Sequence, residues 1–222
     1  MKFSYFFSDC DGVIIDSEII AANVMVKYIN DFGVEIDLDT YLRTCSGKTF
    51  SGIMTNLSKE HGLVLSDNYL DEITSLYMEA AKTQEKAIEG AKKAFEEIEL
   101  PKAIISNGFK AQINHAVDLV GLRNEFEDRV FSGVEDVENP KPAPDIYLFA
   151  AKKIGIDPKE IIVIEDSKSG AKAAVDAGMY VIGFTGASHI LEGHEQVLND
   201  VGVKHVIQNM SELPPLIKKI NG

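Results

Sequence analysis

The sequence predicts an α/β fold in which a doubly wound parallel sheet is interrupted, after its first strand, by a small all-helical domain. Short apolar runs recur along the chain, and segments with helical periodicity separate them. Such runs suit strands that are buried on both faces of a parallel sheet. Between the first run and about Lys86, only helical periodicity is visible. Strands that alternate with helices are typical of doubly wound domains, and the long helical segment predicts the insert.

Six apolar runs are the predicted strands. The first occupies Phe3–Phe7, and the fourth, Ile161–Ile164, is the most apolar. Valine, isoleucine and aromatic residues, which favour strands, dominate these runs. The remaining predicted strands are 103–105, 130–131, 180–184 and 205–207.

Helical periodicity fills the segments between the later strands. Ile113, Ala116, Val117 and Val120 lie at i, i+3, i+4 and i+7, and Gly121 is a typical helix end. Two more helices are predicted to begin near Pro144 and Ser167 and to end near Gly155 and Gly178.

The helical insert carries two apolar faces of its own. Met25, Tyr28, Ile29 and Phe32 form one face, and Leu70, Ile73 and Tyr77 form the other. We therefore predict an α/β core made of residues 1–16 and 87–222, and a helical cap domain made of residues 17–86. An insert of this length lies within the size range of small domains.

Composition excludes several classes of protein. The chain has 222 residues, 45% hydrophobic and 26% charged, which is ordinary for a soluble globular protein. Its net charge is -13, whereas nucleic-acid-binding proteins usually carry an excess of basic residues. No segment approaches the ~18 consecutive apolar residues that a membrane span needs. The two cysteines form no zinc-type pattern, and the apolar start is too short for a secretory signal. We expect a cytoplasmic monomer or weak homodimer without a nucleic-acid or membrane partner.

Two aspartates follow the first predicted strand. Asp9 and Asp11 are two residues apart, and Gly12 comes next. Carboxylates this close repel each other unless a cation neutralises them or one is protonated, and Mg²⁺ prefers such hard oxygen ligands. Such a pair can also divide the work of nucleophile and general acid/base. The alternative is an ordinary Asp-x-Asp-Gly surface turn.

Polar residues also follow three later strands. Ser106 and Asn107 follow the second strand, and Lys141 stands between two prolines after the third. Glu165 and Asp166 follow the fourth. In open α/β sheets, ligands bind outside the carboxyl ends of the strands, so these groups are expected at one edge. Taken singly, each motif has an ordinary structural alternative: a helix N-cap, a stiff proline loop, or acids near a helix start.

Together, the four motifs resemble those of the haloacid dehalogenase-like hydrolase superfamily, in its phosphatase and β-phosphoglucomutase branch. The resemblance covers essentially the whole chain and includes a helical cap after the first motif. It implies that Asp9 attacks phosphorus and forms an aspartyl-phosphate, while Asp11 protonates the leaving oxygen and then activates water. It also implies a Mg²⁺ cofactor held by Asp9, the main-chain carbonyl of Asp11, and Asp166, with Glu165 in or near the ligand set.

The same resemblance assigns the residues that bind the phosphate ester. Ser106, the N–H of Asn107 and Lys141 would bind the transferring phosphoryl oxygens, which agrees with the need of phosphoryl transfer for alignment and charge neutralisation. Residues 12–17 would form a mobile hinge to the cap. Lys48, in the cap, either binds a second anionic group of the substrate or is an exposed lysine at a helix start.

Three positions narrow the choice within the superfamily. The dehalogenases and phosphonatases lack the second aspartate, so Asp11 disfavours both. β-Phosphoglucomutase is the closest alternative, but Ala21 stands where its cap has a histidine, and residues 46–50 offer no arginine. The chain looks more similar to sugar-phosphate phosphatases of the 6-phosphogluconate phosphatase type. We expect a small phosphorylated metabolite, a sugar or sugar-acid phosphate, as the substrate.

Overall fold

The computed structural model describes residues 2–45 and 48–222. Ser46 and Gly47, in the cap loop considered above, and Met1 lie outside the described residues. Six parallel strands form one sheet in the order β3-β2-β1-β4-β5-β6. The strands are β1 Tyr5–Ser8, β2 Lys102–Ser106, β3 Val130–Ser132, β4 Ile161–Glu165, β5 Tyr180–Phe184 and β6 His205–Ile207.

Helices occupy the connections along the described chain. The helices before β2 are α1 Glu18–Asp31, α2 Leu38–Cys45, α3 Phe50–His61, α4 Tyr69–Gln84 and α5 Ala91–Glu97. Those between β2 and β4 are α6 Lys110–Val120, α7 Arg123–Phe126, α8 Gly133–Asp136 and α9 Asp145–Ile154. The last three are α10 Lys168–Asp176, α11 His194–Asp200 and α12 Leu213–Asn221. No helix of the described residues is long and apolar enough to cross a membrane.

The sheet is buried on both faces. Successive side chains of a strand point to opposite faces, and the adjacent Phe6 and Phe7 are both fully buried, in two separate apolar clusters. Ile162 and Val163 of β4 divide in the same way. Each face is therefore an apolar core, which explains why these strands read as continuous apolar runs.

The predicted doubly wound, Rossmann-like fold is confirmed. The strand order is the classic doubly wound order, in which the chain reverses direction across the sheet beside β1. All six predicted strands are present, although β1 begins at Tyr5 and extends to Ser8. The ends of β1 are set by its pairing with β4, in which Tyr5 pairs with Ile161 and Ser8 pairs with Ile164.

Contacts divide the described chain into two compact units. One contains residues up to Asp16 and from Lys86 onward, and the other is Ser17–Glu85. Within the first unit, the N–H of Asp16 donates to the carbonyl of Lys86 at 2.8 Å, so the two connecting segments run side by side. Both ends of the helical segment therefore leave the α/β unit at neighbouring points.

The helical unit contains α1 to α4 and has its own apolar interior. Met25, Ile29 and Ile73 are fully buried there. Leu70, which the periodicity placed on one apolar face with Ile73, is 40% exposed. The less exposed face of α4 contains Tyr69, which is half-buried, and Ile73, which is buried. These two residues are four positions apart and therefore share one helix face.

Candidate active site

Asp9 lies directly after β1, at the carboxyl edge of the sheet. Its N–H donates to the carbonyl of Ile164 in β4 at 3.1 Å, which continues the strand pairing past the end of β1. The residue is only 7% exposed. A buried carboxylate at this point is costly unless cations or hydrogen bonds compensate it.

The ammonium group of Lys141 provides part of that compensation. Its Nζ lies 2.7 Å from Oδ1 of Asp9, 2.6 Å from Oε1 of Glu165 and 2.8 Å from the carbonyl oxygen of Ile105. An ammonium has three N–H donors, so these three protein oxygens match its full donor capacity. Lys141 thus joins the ends of β1, β2 and β4.

Asn107 fixes the backbone that carries this lysine. Its side-chain amide donates to the carbonyl of Lys141 at 3.1 Å and accepts from the N–H of Lys141 at 3.0 Å. The residues on either side of Lys141 are prolines, which restrict the backbone further. The side chain of Asn107 therefore holds the Lys141 backbone, and its main-chain N–H is the group that the family resemblance assigned to substrate binding.

Glu165 ends β4 and is fully buried. Its Oε1 accepts from Tyr147 at 2.6 Å as well as from Lys141, and its Oε2 accepts from Ser167 at 3.3 Å. A Cβ atom at Gly170 would lie 2.0 Å from Oε1, so only glycine leaves room for the carboxylate beside α10. These contacts hold the carboxylate in one orientation.

Asp11 and Ser106 meet at the same edge. Ser106 Oγ donates to Oδ2 of Asp11 at 3.2 Å and accepts from the N–H of Gly108 at 2.9 Å. The hydroxyl of Ser132, at the end of β3, donates to the carbonyl of Gly108 at 2.7 Å. The Ser106 loop is thereby tied to its neighbouring strand and oriented toward the second aspartate.

Asp166 follows β4 and is also buried. A Cβ atom at Gly12, whose φ is +74°, would lie 1.9 Å from Oδ2 of Asp166, so glycine is required on both steric and conformational grounds. Two imidazoles also approach this aspartate: His189 Nε2 lies 3.2 Å from Oδ2, and His194 Nε2 lies 2.6 Å from the main-chain oxygen.

Burial and like charges dominate the electrostatics of the site. Burial raises the pKa of the Asp9 carboxyl well above its usual value, and the Glu165 charge adds to this while Lys141 opposes it. Burial also raises the pKa of Glu165. For Lys141, burial lowers the pKa, but Asp9 and Glu165 more than offset this and leave it above its ordinary value. Lys141 therefore stays positively charged between two buried carboxylates.

The residues fit a divalent cation. Asp9, Glu165 and Asp166 are all buried, and each offers a carboxylate oxygen within 4.8 Å of the others. When ionised, these three carry three negative charges against the single positive charge of Lys141, and a buried excess of this kind calls for another cation. All-oxygen ligands suit Mg²⁺. Asp9, Glu165 and Asp166 could therefore hold such an ion, and the ligand set that the family resemblance implied stays a prediction.

Comparison with known proteins decides the family. Residues 6–184 match the family model described as haloacid dehalogenase-like hydrolase. The chain belongs to the haloacid dehalogenase-like hydrolases. It is 31% identical to 6-phosphogluconate phosphatase of Escherichia coli over 188 residues, covering 82% of this chain and 83% of that protein.

Solved structures agree with this assignment. A haloacid dehalogenase-like protein of unknown function from Agrobacterium tumefaciens superposes with a TM-score of 0.92 at 34% identity, covering 99% of this chain and all of that one. A family hydrolase from Deinococcus radiodurans, solved with bound phosphate and sodium, gives 0.84 at 28% identity and covers 99% and 97% of the two chains. This haloacid dehalogenase-like hydrolase is a phosphoric monoester hydrolase, as the phosphatases among its relatives show.

The structure places most of the predicted site residues together. Asp9, Asp11, Ser106, Asn107, Lys141, Glu165 and Asp166 form one network at the carboxyl ends of β1, β2 and β4. Lys48 belongs to the helical unit, where it is exposed between α2 and α3 and lines a small cleft with Glu18 and Tyr41.

Three residues of this network were not predicted from the sequence. The Tyr147 hydroxyl binds Glu165, and His189 and His194 contact Asp166. A signal for Tyr147 existed, since a tyrosine buried in an apolar helix face usually needs a hydrogen-bond partner. The histidines stand more than twenty residues from Asp166, and no local spacing indicated their contacts.

Proposed function

We propose that this hydrolase is a Mg²⁺-dependent phosphatase of small phosphorylated metabolites, sugar or sugar-acid phosphates, and that it acts through an aspartyl-phosphate on Asp9. The observation that supports this most strongly is the buried Asp9 carboxylate, with the Lys141 ammonium at 2.7 Å and Asp166 in the same acidic group. The resemblance to 6-phosphogluconate phosphatase supports the substrate class.

Asp9 and Asp11 perform the chemistry in this proposal. A carboxylate oxygen of Asp9 attacks phosphorus, the bond from phosphorus to the ester oxygen breaks, and Asp11 gives its proton to the departing alcohol. Asp11 then takes a proton from water as the water attacks the aspartyl-phosphate, which releases phosphate and restores Asp9. Ser106 lies against Asp11, which places a hydroxyl donor beside the reacting groups.

The remaining residues position the nucleophile and neutralise charge. Lys141 fixes Oδ1 of Asp9 and puts a positive charge beside the phosphoryl group, and Glu165 holds Lys141. Direct binding of phosphoryl oxygens by Lys141 remains a prediction that requires exchange of one of its three protein partners. Asp9, the main-chain oxygen of Asp11, and Asp166 would hold Mg²⁺, with Glu165 adjacent. The ion would supply positive charge against the phosphoryl oxygens.

Replacement of the nucleophile tests the mechanism. Asp9→Asn keeps the shape of the side chain but removes the attacking carboxylate, so we expect release of phosphate from p-nitrophenyl phosphate to fall by roughly 10⁴-fold or more, the scale for losing a covalent nucleophile. Asp176→Asn, at an exposed aspartate paired with Lys172, is the matched control. Retained turnover in a folded Asp9→Asn protein would refute the mechanism.

Lys48 tests the substrate class. We propose that its ammonium binds a second anionic group of the substrate, so Lys48→Met should raise KM for 6-phosphogluconate about tenfold, which corresponds to ~1.4 kcal/mol. KM for p-nitrophenyl phosphate, which has no second anionic group, should stay unchanged. Lys59→Met, at an exposed lysine of α3, is the control. Equal KM values for 6-phosphogluconate in the Lys48 and Lys59 variants would show that Lys48 does not bind the substrate.

A further inference from the structure

Two histidines contact one aspartate, Asp166: His189 lies between β5 and α11, and His194 is the first residue of α11. His189 Nε2 lies 3.2 Å from Oδ2 of Asp166, and His194 Nε2 lies 2.6 Å from its main-chain oxygen. We propose that His189 is a positioning residue, which orients the Asp166 carboxylate for cation binding, and that His194 fixes the backbone beneath it. This inference rests on the proposed function, because it needs Asp166 as a cation ligand.

The chemistry of the contacts gives both imidazoles the role of donor. An ionised carboxylate and a main-chain carbonyl can only accept, so each of the two contacts is attractive only when the facing Nε2 atom carries a proton. A protonated ring nitrogen has no lone pair for a metal. Neither histidine can therefore ligate the cation through Nε2, and both act on Asp166 instead.

The Asp166 carboxylate is confined from two sides. The backbone of Gly12 approaches so closely that a Cβ atom there would lie 1.9 Å from Oδ2, and the same point is 3.0 Å from Cε1 of His189. Oδ2 is thus enclosed between a glycine backbone and an imidazole ring. Without the ring, one wall of this enclosure is lost and the carboxylate gains freedom to rotate.

The segment that carries His189 is itself fixed. Ser188 donates to Asp16 twice, from its N–H to Oδ1 at 3.2 Å and from its hydroxyl to Oδ2. The N–H of Ile190 donates to the carbonyl of Ala187 at 3.1 Å. Hydrogen bonds therefore hold the residues on both sides of His189, and its own side chain is only 9% exposed. The imidazole is thus kept in a fixed position beside Asp166. Groups that orient metal ligands typically change metal affinity 10–100-fold when they are replaced.

Metal binding without substrate tests the inference. Mn²⁺, which gives an electron paramagnetic resonance signal when free, would be titrated into the wild-type protein, His189→Leu, His189→Gln and the control His205→Leu, at an exposed histidine of β6. We expect His189→Leu to weaken Mn²⁺ binding by ~10–100-fold. His189→Gln, which retains an N–H donor, should recover most of the affinity, and His205→Leu should match the wild type.

Each other outcome has a distinct meaning. Wild-type affinity in His189→Leu would overturn the positioning role while leaving the proposed phosphatase intact. Equal weakening in the Leu and Gln variants, with an equal fall of Tm in metal-free protein, would show a merely structural histidine and would also overturn it. If the wild type itself bound no Mn²⁺, the metal site of the proposed function would fail, and this inference with it.

Discussion

At the scale of single residues, the absence of a side chain is as important to this site as the carboxylates themselves. Gly170 leaves the volume that the Glu165 carboxylate occupies, just as Gly12 leaves the volume beside Asp166. Both glycines stand within the motifs that carry the acidic groups. Both glycines are visible in the sequence, but the atoms that they accommodate are visible only in the folded structure.

Gly170→Ala is therefore expected to destabilise the protein, whereas a glycine-to-alanine change in a helix usually stabilises it. Inside a helix this change normally stabilises by roughly 0.5–1 kcal/mol. In α10 the new Cβ would meet Oε1 of Glu165 at 2.0 Å, so we expect the free energy of unfolding to fall by about 1–3 kcal/mol, the cost of overpacking. The measurement is chemical denaturation of the purified proteins.

Gly52→Ala in α3 is the matched control. The closest atom to its Cβ would be Oγ1 of Thr49 at 3.2 Å, a hydroxyl that can shift slightly, so this variant should be neutral or slightly stabilised. If Gly170→Ala were as stable as Gly52→Ala, the described fit of Glu165 against α10 would be wrong.

At the scale of elements, a partly buried hydrogen bond links α1 and α4 within the helical unit. The Tyr28 hydroxyl donates to Oε2 of Glu72 at 2.8 Å, and Ser66 donates to the other carboxylate oxygen at 3.0 Å. Burial, followed by this hydrogen bond, raises the pKa of Tyr28 from 10.0 to about 12. The folded unit therefore favours the protonated phenol.

This link predicts a particular loss of stability in alkali. Because the folded pKa of Tyr28 is raised, its stabilisation is complete below about pH 10 and is lost as pH rises toward about 12. Tyr28→Phe should lower the free energy of unfolding by ~1–2 kcal/mol at pH 8 and should show a shallower decline between pH 10 and 12. Denaturation curves across this range test it, and parallel declines in both proteins would contradict it.

Elements were predictable from the sequence where their apolar pattern is long. All six strands and the helices before Gly121, Gly155 and Gly178 follow from periodicity and end signals. The ends of β1 did not follow from these signals, because they are set by pairing with Ile161–Ile164 in β4. The four-residue helices α7 and α8 could not be predicted from the sequence either, because one helical turn is too short to show a hydrophobic period.

At the scale of the whole molecule, the site collects residues that are distant in sequence. Lys141 bonds to Asp9 across 132 positions and to Glu165 across 24. The sheet order explains this convergence, because β1 lies between β2 and β4 and their carboxyl ends meet at one edge. The sequence could place each motif at a strand end, and the family resemblance assigned the roles. The identity of the Tyr147 partner and the contacts of His189 and His194 depend on three-dimensional packing alone.

A net charge of -13 does not prevent the binding of an anionic ester. Fields inside a cleft depend on nearby charges, and a cation there can reverse the local sign. Lys141 is one such charge, and the proposed Mg²⁺ would be the second. The proposed mechanism therefore depends on whether Asp9, within this local arrangement, becomes covalently phosphorylated.

Trapping the phosphorylated enzyme is the most direct test of that claim. In Asp11→Asn, p-nitrophenyl phosphate should still transfer its phosphoryl group, because the departing phenolate needs little help from an acid. Hydrolysis of the aspartyl-phosphate should slow by about 10²–10⁴-fold, the usual contribution of a general base. After an acid quench and proteolysis, mass spectrometry should find one phosphoryl group on Asp9, and none when Asp9→Asn is added. Release of nitrophenol without any phosphorylated Asp9, or a phosphoryl group on another residue, would contradict the account.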